Sequence, residues 1–81
     1  MKMYRFLIVI EKGKKNLAAY CPDLPGCVAT GKNEKEVEKN MYEAIQLHIQ
    51  GLLEDGLEVP QAEAEAEILA MPQIKVRASG R

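Results

Sequence analysis

Residues 20–31 read Tyr-Cys-Pro-Asp-Leu-Pro-Gly-Cys-Val-Ala-Thr-Gly, and this stretch decides the fold of the chain. Each proline fixes its own φ, and Gly26 can take the positive φ that reverses the chain. Asp23 can accept a hydrogen bond from its own backbone two residues on. Short apolar runs, Leu17 to Cys21 and Cys27 to Thr30, flank these turn residues. The stretch therefore predicts two antiparallel strands joined by a stiff connection.

The residues before this hairpin predict a further strand, from Tyr4 to Glu11. Even-numbered side chains as far as Ile10 would point to one face of the sheet, and Leu7 and Val9 to the other. Because both faces are apolar in the middle, we expect this first strand to lie in the centre of the sheet, with a helix on one face and another element or subunit on the other. Residues 12–16, Lys-Gly-Lys-Lys-Asn, would form the turn to the second strand.

The segment after Gly31 changes from a period of two to a period of 3.6, which is typical of a helix. Asn33 is a good N-cap, and Glu36 can close a capping box with it. Gly56 suits the position just past a C-terminus, so the pattern predicts a helix from Glu34 to Asp55. One helix face is apolar and consists of Val37, Met41, Ala44, Ile45, His48 and Leu52. The opposite face is polar and consists of Glu36, Lys39, Glu43, Gln46, Gln50 and Glu54.

The sequence after the helix is less regular. Leu57 to Pro60 is a connector, and residues 61–67 alternate alanine with glutamate, a pattern compatible with a strand, a helix or a loop. Residues 68–71, Ile-Leu-Ala-Met, are expected to form a fourth strand beside the first. Residues 73–81 are expected to be frayed.

Together these elements predict one α+β domain over residues 1–81, with an ordered core at about 3–72. The order is β-β-β-α-β, and one main helix packs on one face of an antiparallel sheet. So small a domain buries a thin core, so we expect a homo-oligomer, a dimer or a tetramer. The formal net charge of −1 gives no overall attraction to nucleic acid or a membrane. The apolar start is too short for a signal peptide, which favours a cytoplasmic protein with no membrane association.

The residue types that catalysis and metal binding need are too few. Nucleophilic catalysis would have to combine Cys21 or Cys27 with His48, the only histidine, which falls on the apolar face of the helix. One histidine cannot complete a zinc site with these cysteines. We therefore expect no enzyme activity, no catalytic residue, no cofactor and no metal. The cysteines are expected to be reduced and buried, although their flanking positions are compatible with a disulfide in an oxidising compartment.

Three features together resemble the HicB family. They are the stretch at 20–31, the helical segment Glu-Ala-Ile-Gln-Leu-His at 43–48, and the helix end Glu-Asp-Gly at 54–56. The similarity runs from about Tyr4 to Pro60. HicB proteins are the antitoxins of bacterial and archaeal HicA–HicB pairs. The resemblance implies a fold partly like that of ribonuclease H, and a role in binding and masking a small basic HicA-type ribonuclease toxin that carries a catalytic histidine.

Many HicB proteins also carry a C-terminal helix-turn-helix or ribbon-helix-helix domain that represses their own operon. Here only about ten residues follow the predicted fourth strand, about half of what a two-helix DNA reader needs. Basic residues are divided between the turn at 12–16 and residues 75–81, and aromatic residues that could stack on bases are few. We therefore expect the toxin-masking role without sequence-specific DNA binding.

A protein-binding surface is the best remaining candidate for a functional site. The expected partner-binding residues lie in the rigid loop and are Tyr20, Pro22, Asp23, Leu24 and Pro25. Leu24 either projects from the tip as a contact or folds back over the core. The leading function is an antitoxin that masks a HicA-type toxin, and the alternative is a stand-alone HicB-like oligomeric interaction module without a toxin. A metal-dependent nuclease is least favoured, because the first strand offers only Glu11 as a carboxylate.

Overall fold

The computed structural model describes residues 3–76, which form a three-stranded antiparallel sheet and one helix. The elements are β1 (Val9–Lys12), β2 (Leu17–Tyr20), β3 (Val28–Gly31) and α1 (Glu34–Glu54). The α+β class and the order of three strands followed by a helix are therefore confirmed. Within the described part of the chain, α1 included, no helix has the length and apolar content needed to cross a bilayer.

β2, and not β1, is the central strand of the sheet. The strand order is β1-β2-β3, with Val9 opposite Tyr20 and Tyr20 opposite Val28. The prediction of a central first strand is wrong because each strand pairs with its neighbour in sequence, which leaves the outer edge of β1 without a strand partner among residues 3–76. β1 also starts at Val9 rather than at Tyr4. β2 ends at Tyr20, opposite Val9, and residues 3–8 are not part of the strand.

Capping chemistry sets the start of α1. The Glu36 N–H donates to Asn33 Oδ1 at 2.8 Å, as the predicted N-cap requires. The Glu36 carboxylate accepts a bond from the backbone N–H of Lys32 at 2.7 Å, one residue before the position that a standard capping box uses. The backbone N–H and the side-chain carboxylate of Glu36 therefore both help to fix the start of the helix at Glu34.

A Schellman motif ends α1. Gly56 has a φ of +73°, and its N–H donates to Leu53 O at 3.1 Å. The N–H of Leu57 donates to Leu52 O at 2.9 Å. These two bonds satisfy carbonyls that the helix would otherwise leave unpaired, and they place Asp55 at the C-cap, as the predicted role of Gly56 implied.

The core lies between α1 and the β2–β3 side of the sheet. Its buried members are Ala19, Cys21, Leu24, Cys27, Val37 and Met41. α1 packs mainly on β3 and to a lesser extent on β2. Gly31 permits this close packing, because a Cβ at that position would lie 2.5 Å from the backbone nitrogen of Val37. The side chain of Asn40 also donates to Thr30 O at 2.8 Å and ties α1 to β3.

Residues 57–76 form neither helix nor strand, so the fourth strand predicted at 68–71 is not formed. Ile68 is fully exposed, and its neighbours up to position 76 are exposed as well. A strand needs a neighbouring strand to pair with its backbone N–H and C=O groups, and among residues 3–76 the sheet contains only β1, β2 and β3. For residues 61–67, the loop alternative is the one observed. Of residues 73–81, which are predicted to be frayed, residues 77–81 lie outside the described residues.

Candidate protein-binding site

Two consecutive β-turns build the connection between β2 and β3, which we call the double-turn loop (residues 21–27). The Leu24 N–H donates to Cys21 O at 3.1 Å, and the Cys27 N–H donates to Leu24 O at 3.0 Å. The Cys21 N–H donates to Cys27 O at 3.2 Å and closes the base of the loop. A proline occupies the second position of each turn, where its fixed φ fits. Gly26 has a φ of +82° at the third position of the second turn, as a type II turn requires.

Leu24 joins the two turns and anchors the loop to the core. Of its two predicted positions, the structure has the inward one: the side chain is 0% exposed and belongs to the same buried cluster as Val37 and Met41 of α1. Burial of a leucine removes apolar surface from water, which stabilises this arrangement by roughly 1.5–3 kcal/mol. Leu24 therefore positions the loop and offers no accessible surface to a partner in this conformation.

Asp23 ties the double-turn loop to the segment that follows the helix. Its half-buried carboxylate accepts a hydrogen bond from the backbone N–H of Ala64 at 3.3 Å. The predicted bond from the backbone two residues on is not formed. The residue at that position is Pro25, which has no N–H to donate. The carboxylate is instead satisfied by a residue distant in sequence.

The accessible surface of this region centres on Tyr20, which is 40% exposed, with the exposed Pro22 and Pro25 beside it in the chain. The strand register adds residues that the sequence analysis missed. Val9, Tyr20 and Val28 stand opposite one another across the three strands, so their side chains share one face of the sheet. We call these three residues the outer-face row. Counting the register outward from the double-turn loop would have found Val28, because the loop fixes Tyr20 opposite Val28.

The two cysteines are buried at the base of the double-turn loop. Neither forms a disulfide. Burial raises the pKa of the Cys27 thiol, and the neighbouring Cys21 raises that pKa further. A thiol with a raised pKa stays protonated at neutral pH and is a weak nucleophile. His48 is half-buried on α1.

Among residues 3–76, no group of three or more His, Cys, Asp or Glu side chains could hold a metal ion. The double-turn loop and the outer-face row meet at Tyr20, and exposed aromatic side chains on a rigid support are typical of binding surfaces. Exposed carboxylates on α1 and beyond it add negative charge: Glu36, Glu38, Glu43, Glu54, Glu63, Glu65 and Glu67.

Known proteins share this sequence pattern. The chain is 37% identical over 68 residues to an uncharacterised 14.9 kDa protein of Haemophilus phage HP1, covering 84% of this chain and 51% of the phage protein. The chain thus spans about half the length of that relative. It is 43% identical over 49 residues to a UPF0150 protein of Helicobacter pylori, covering 60% and 68% of the two chains. A UPF0150 protein of Thermoplasma acidophilum is 32% identical over 62 residues, covering 75% and 90%.

The fold has a counterpart among solved structures as well. It is similar to a chain of a HicA3 and HicB3 toxin–antitoxin complex, with a TM-score of 0.59 and 29% sequence identity, covering 73% of this chain and 72% of that one. A family model described as HicB-like antitoxin of bacterial toxin–antitoxin systems matches residues 6–77. The resemblance predicted from the sequence is confirmed, and this chain belongs to the HicB-like antitoxin family.

Proposed function

We propose that this chain is the antitoxin of a small HicA-type ribonuclease toxin, which it inhibits by covering the toxin surface and without chemistry of its own. The observation that carries the proposal is the shape of the double-turn loop. Three backbone hydrogen bonds, two prolines and the fully buried Leu24 hold it in one conformation before any partner arrives. A pre-organised loop loses little conformational entropy on binding. Family membership and the toxin–antitoxin complex among the structural neighbours support the same role.

The proposed contact surface comprises the loop residues with accessible side chains and the sheet residues beside them. Tyr20, Pro22 and Pro25 make direct contact, with Val28 next to Tyr20 on the outer-face row. Asp23 is half-buried and contributes its accessible oxygen surface, while Leu24 acts from below as the anchor. A tyrosine at the centre of such a surface supplies a large contact area at a small entropic cost, which is typical of a binding hot spot.

Electrostatics supports the same partner. The resemblance implies a basic toxin, and the exposed carboxylates of α1 would attract it over distances of about a Debye length. Charge at the rim of an interface acts mainly on the association rate. Raised salt should therefore slow association more than it speeds dissociation. Because the proposed toxin cleaves RNA, we place the encounter in the cytoplasm.

The test is a calorimetric titration of the full chain with the purified product of the neighbouring gene, which is a HicA-type toxin under this proposal. Tyr20→Ala should weaken binding by about 2 kcal/mol, about 30-fold, because a hot-spot side chain is lost. Tyr42→Ala removes the same side chain from α1, where it is 70% exposed, and should leave the affinity unchanged. The wild-type chain should also suppress RNA cleavage by the toxin and cleave no RNA by itself.

Each result is decisive for one part of the proposal. Failure of the wild-type chain to bind the toxin would refute the antitoxin role and favour the stand-alone interaction module. Equal losses for the two tyrosine variants would keep the antitoxin role and remove the double-turn loop from the contact.

We propose that the described residues do not bind DNA in a sequence-specific way. Lys12, Lys14 and Lys15 are gathered at one turn, and the exposed face of α1 is rich in glutamate, which phosphate groups would repel. A gel-shift titration with DNA from upstream of the coding sequence should give only weak, salt-sensitive binding. A sequence-selective shift that survives raised salt would contradict this assignment.

A further inference from the structure

The outer edge of β1 is open, and the surface next to it is apolar. Among residues 3–76, β1 pairs with β2 alone. A groove of about 370 Å³ lies between residues 3–6 and α1, where Tyr42, Ile45 and Ile49 line its helical side. The groove exists because α1 packs on β3 and β2 and leaves the β1 side of the sheet less covered. An unpaired edge beside apolar side chains is a template for another strand.

The segment from 65 to 76, which we call the tail, has the sequence pattern of a strand without a sheet. Continuing from Ala62 and Ala64, its even-numbered positions are all apolar: Ala66, Ile68, Ala70, Pro72, Ile74 and Val76. Its odd-numbered positions are mostly polar: Glu65, Glu67, Leu69, Met71, Gln73 and Lys75. In an extended strand the even-numbered side chains would line one face. In the single chain this even row stands in solvent, with Ile68, Ile74 and Val76 exposed by 100%, 73% and 90%.

The course of the chain keeps the tail away from its own β1. Residues 59–62 line a cavity together with residues 3–6, so the segment after α1 passes the start of β1. Ala64 is then held by Asp23 of the double-turn loop, at the end of the sheet opposite the turn at 12–16. Beyond this attachment every residue of the tail is exposed. The tail therefore leaves the body with its apolar row uncovered.

We propose that the tail adds as an antiparallel fourth strand to β1 of a second copy, and that two copies exchange tails in this way across a two-fold axis. Charge determines the direction. Glutamates precede the isoleucines of the tail, at Glu63, Glu65 and Glu67, and lysines follow β1, at Lys12, Lys14 and Lys15. Antiparallel pairing brings the glutamates of one copy beside the lysines of the other. Parallel pairing would place those carboxylates at the opposite end of the sheet.

The exchange accounts for the features that the single chain leaves unexplained. The even row turns toward the α1 side of the sheet, where Ile74 and its neighbours cover the groove. Pro72 has no N–H, which is tolerated because an added strand becomes the new edge of the sheet. Reciprocal exchange uses the same surface on both copies, so the assembly closes at two. It gives the predicted homo-oligomer a structural basis, and it goes beyond toxin masking because it involves β1 and the tail rather than the contact residues of the double-turn loop.

The test is light scattering on the full chain across micromolar concentrations, where a dimer is expected. Ile68→Lys with Ile74→Lys should raise the dimer dissociation constant at least about 100-fold, because each dimer buries four of these isoleucines. The matched control, Leu69→Lys with Met71→Lys, alters residues exposed by 74% and 70% in the single chain and should remain a dimer. Circular dichroism should show an intact α1 in both variants, since these positions are exposed in the single chain.

A charge exchange tests the direction and the partner. Lys14→Glu with Lys15→Glu, and separately Glu65→Lys with Glu67→Lys, should each weaken self-association. When the two variants are mixed, every tail meets a turn of opposite charge, so heterodimers should form in preference to homodimers. A monomeric wild-type chain, a dimer unaffected by the even-row substitutions, or a mixture without heterodimers would overturn the proposal. Toxin binding through Tyr20 is measured separately and does not depend on this result.

Discussion

The body of the molecule (residues 3–57) and the tail both have periodic sequence patterns but have different structures. In the body, a period of 3.6 becomes α1 because β3 and β2 lie under its apolar face. In the tail, a period of two is interrupted only at Leu69 and Met71, yet no strand forms because no neighbour pairs with its backbone. A pattern thus indicates which structure a segment favours, and the presence of a partner decides whether that structure forms.

The largest expected effect compares two leucines that the sequence alone does not distinguish. Leu24→Ala should lower the free energy of unfolding by about 2–5 kcal/mol, because it leaves a cavity beneath the double-turn loop. Leu69→Ala, at a position 74% exposed in the tail, should change it by less than about 0.5 kcal/mol. Urea unfolding followed by the helical circular dichroism signal measures both. Equal effects would show that the loop is not anchored by Leu24 and would remove the contrast between body and tail.

The features that the sequence predicted well are those that local chemistry decides. Asn33 and Gly56 mark the ends of α1 because each end is fixed by hydrogen bonds to residues within one turn. The positive φ of Gly26 was predictable for the same reason. The position of β1 at an edge was not, because strand order depends on which segments meet in space. A strand that is apolar on both faces has the same sequence pattern at the centre of a sheet and at an open edge.

The candidate site shows the same difference between features that local sequence decides and features that distant contacts decide. Its rigidity followed from two prolines and one glycine, which are local signals. The inward direction of Leu24 and the bond from Ala64 to Asp23 depend on the core and on a distant segment, so the sequence left the first open and missed the second. Val28 joins the surface only through its register with Tyr20.

The second prediction tests the close contact that separates the packed body from the uncovered tail. Gly31→Ala would bring a Cβ to 2.5 Å from the backbone of Val37, so β3 and α1 must move apart, at about 1–3 kcal/mol of stability. Gly51→Ala is the matched control within α1. Its Cβ would meet nothing within 4 Å, and the higher helix propensity of alanine should stabilise the protein by up to about 1 kcal/mol. Thermal unfolding midpoints that shift in the same direction for both variants would refute the packing argument.

The third prediction concerns the local signal that starts α1. Asn33→Ala removes the acceptor for the Glu36 N–H and should lower stability by about 1 kcal/mol. Gln73→Ala changes an exposed polar residue of the tail and should have an effect within about 0.5 kcal/mol. Urea denaturation midpoints measure both. If the two variants unfolded alike, the capping bond would not contribute to the stability of the body.

The smallest expected effect is a change in the pH dependence of stability. It distinguishes the body from the tail, because burial alters the ionisation of a thiol only in a core that excludes water. Burial raises the pKa of Cys27, and Cys21 raises it further, so the folded protein holds this proton to a higher pH than the unfolded chain does. The stability due to this difference is fully present below the ordinary thiol pKa of 9.0 and is lost as the pH rises through the folded-state pKa. The free energy of unfolding of the wild-type chain should therefore fall more steeply above pH 9 than that of Cys27→Ala. Cys21→Ala should keep most of the steeper fall, because burial is the larger cause of the raised pKa. Parallel alkaline profiles for the wild-type and Cys27→Ala chains, measured by urea unfolding, would mean that water reaches the thiol and that the base of the double-turn loop is open.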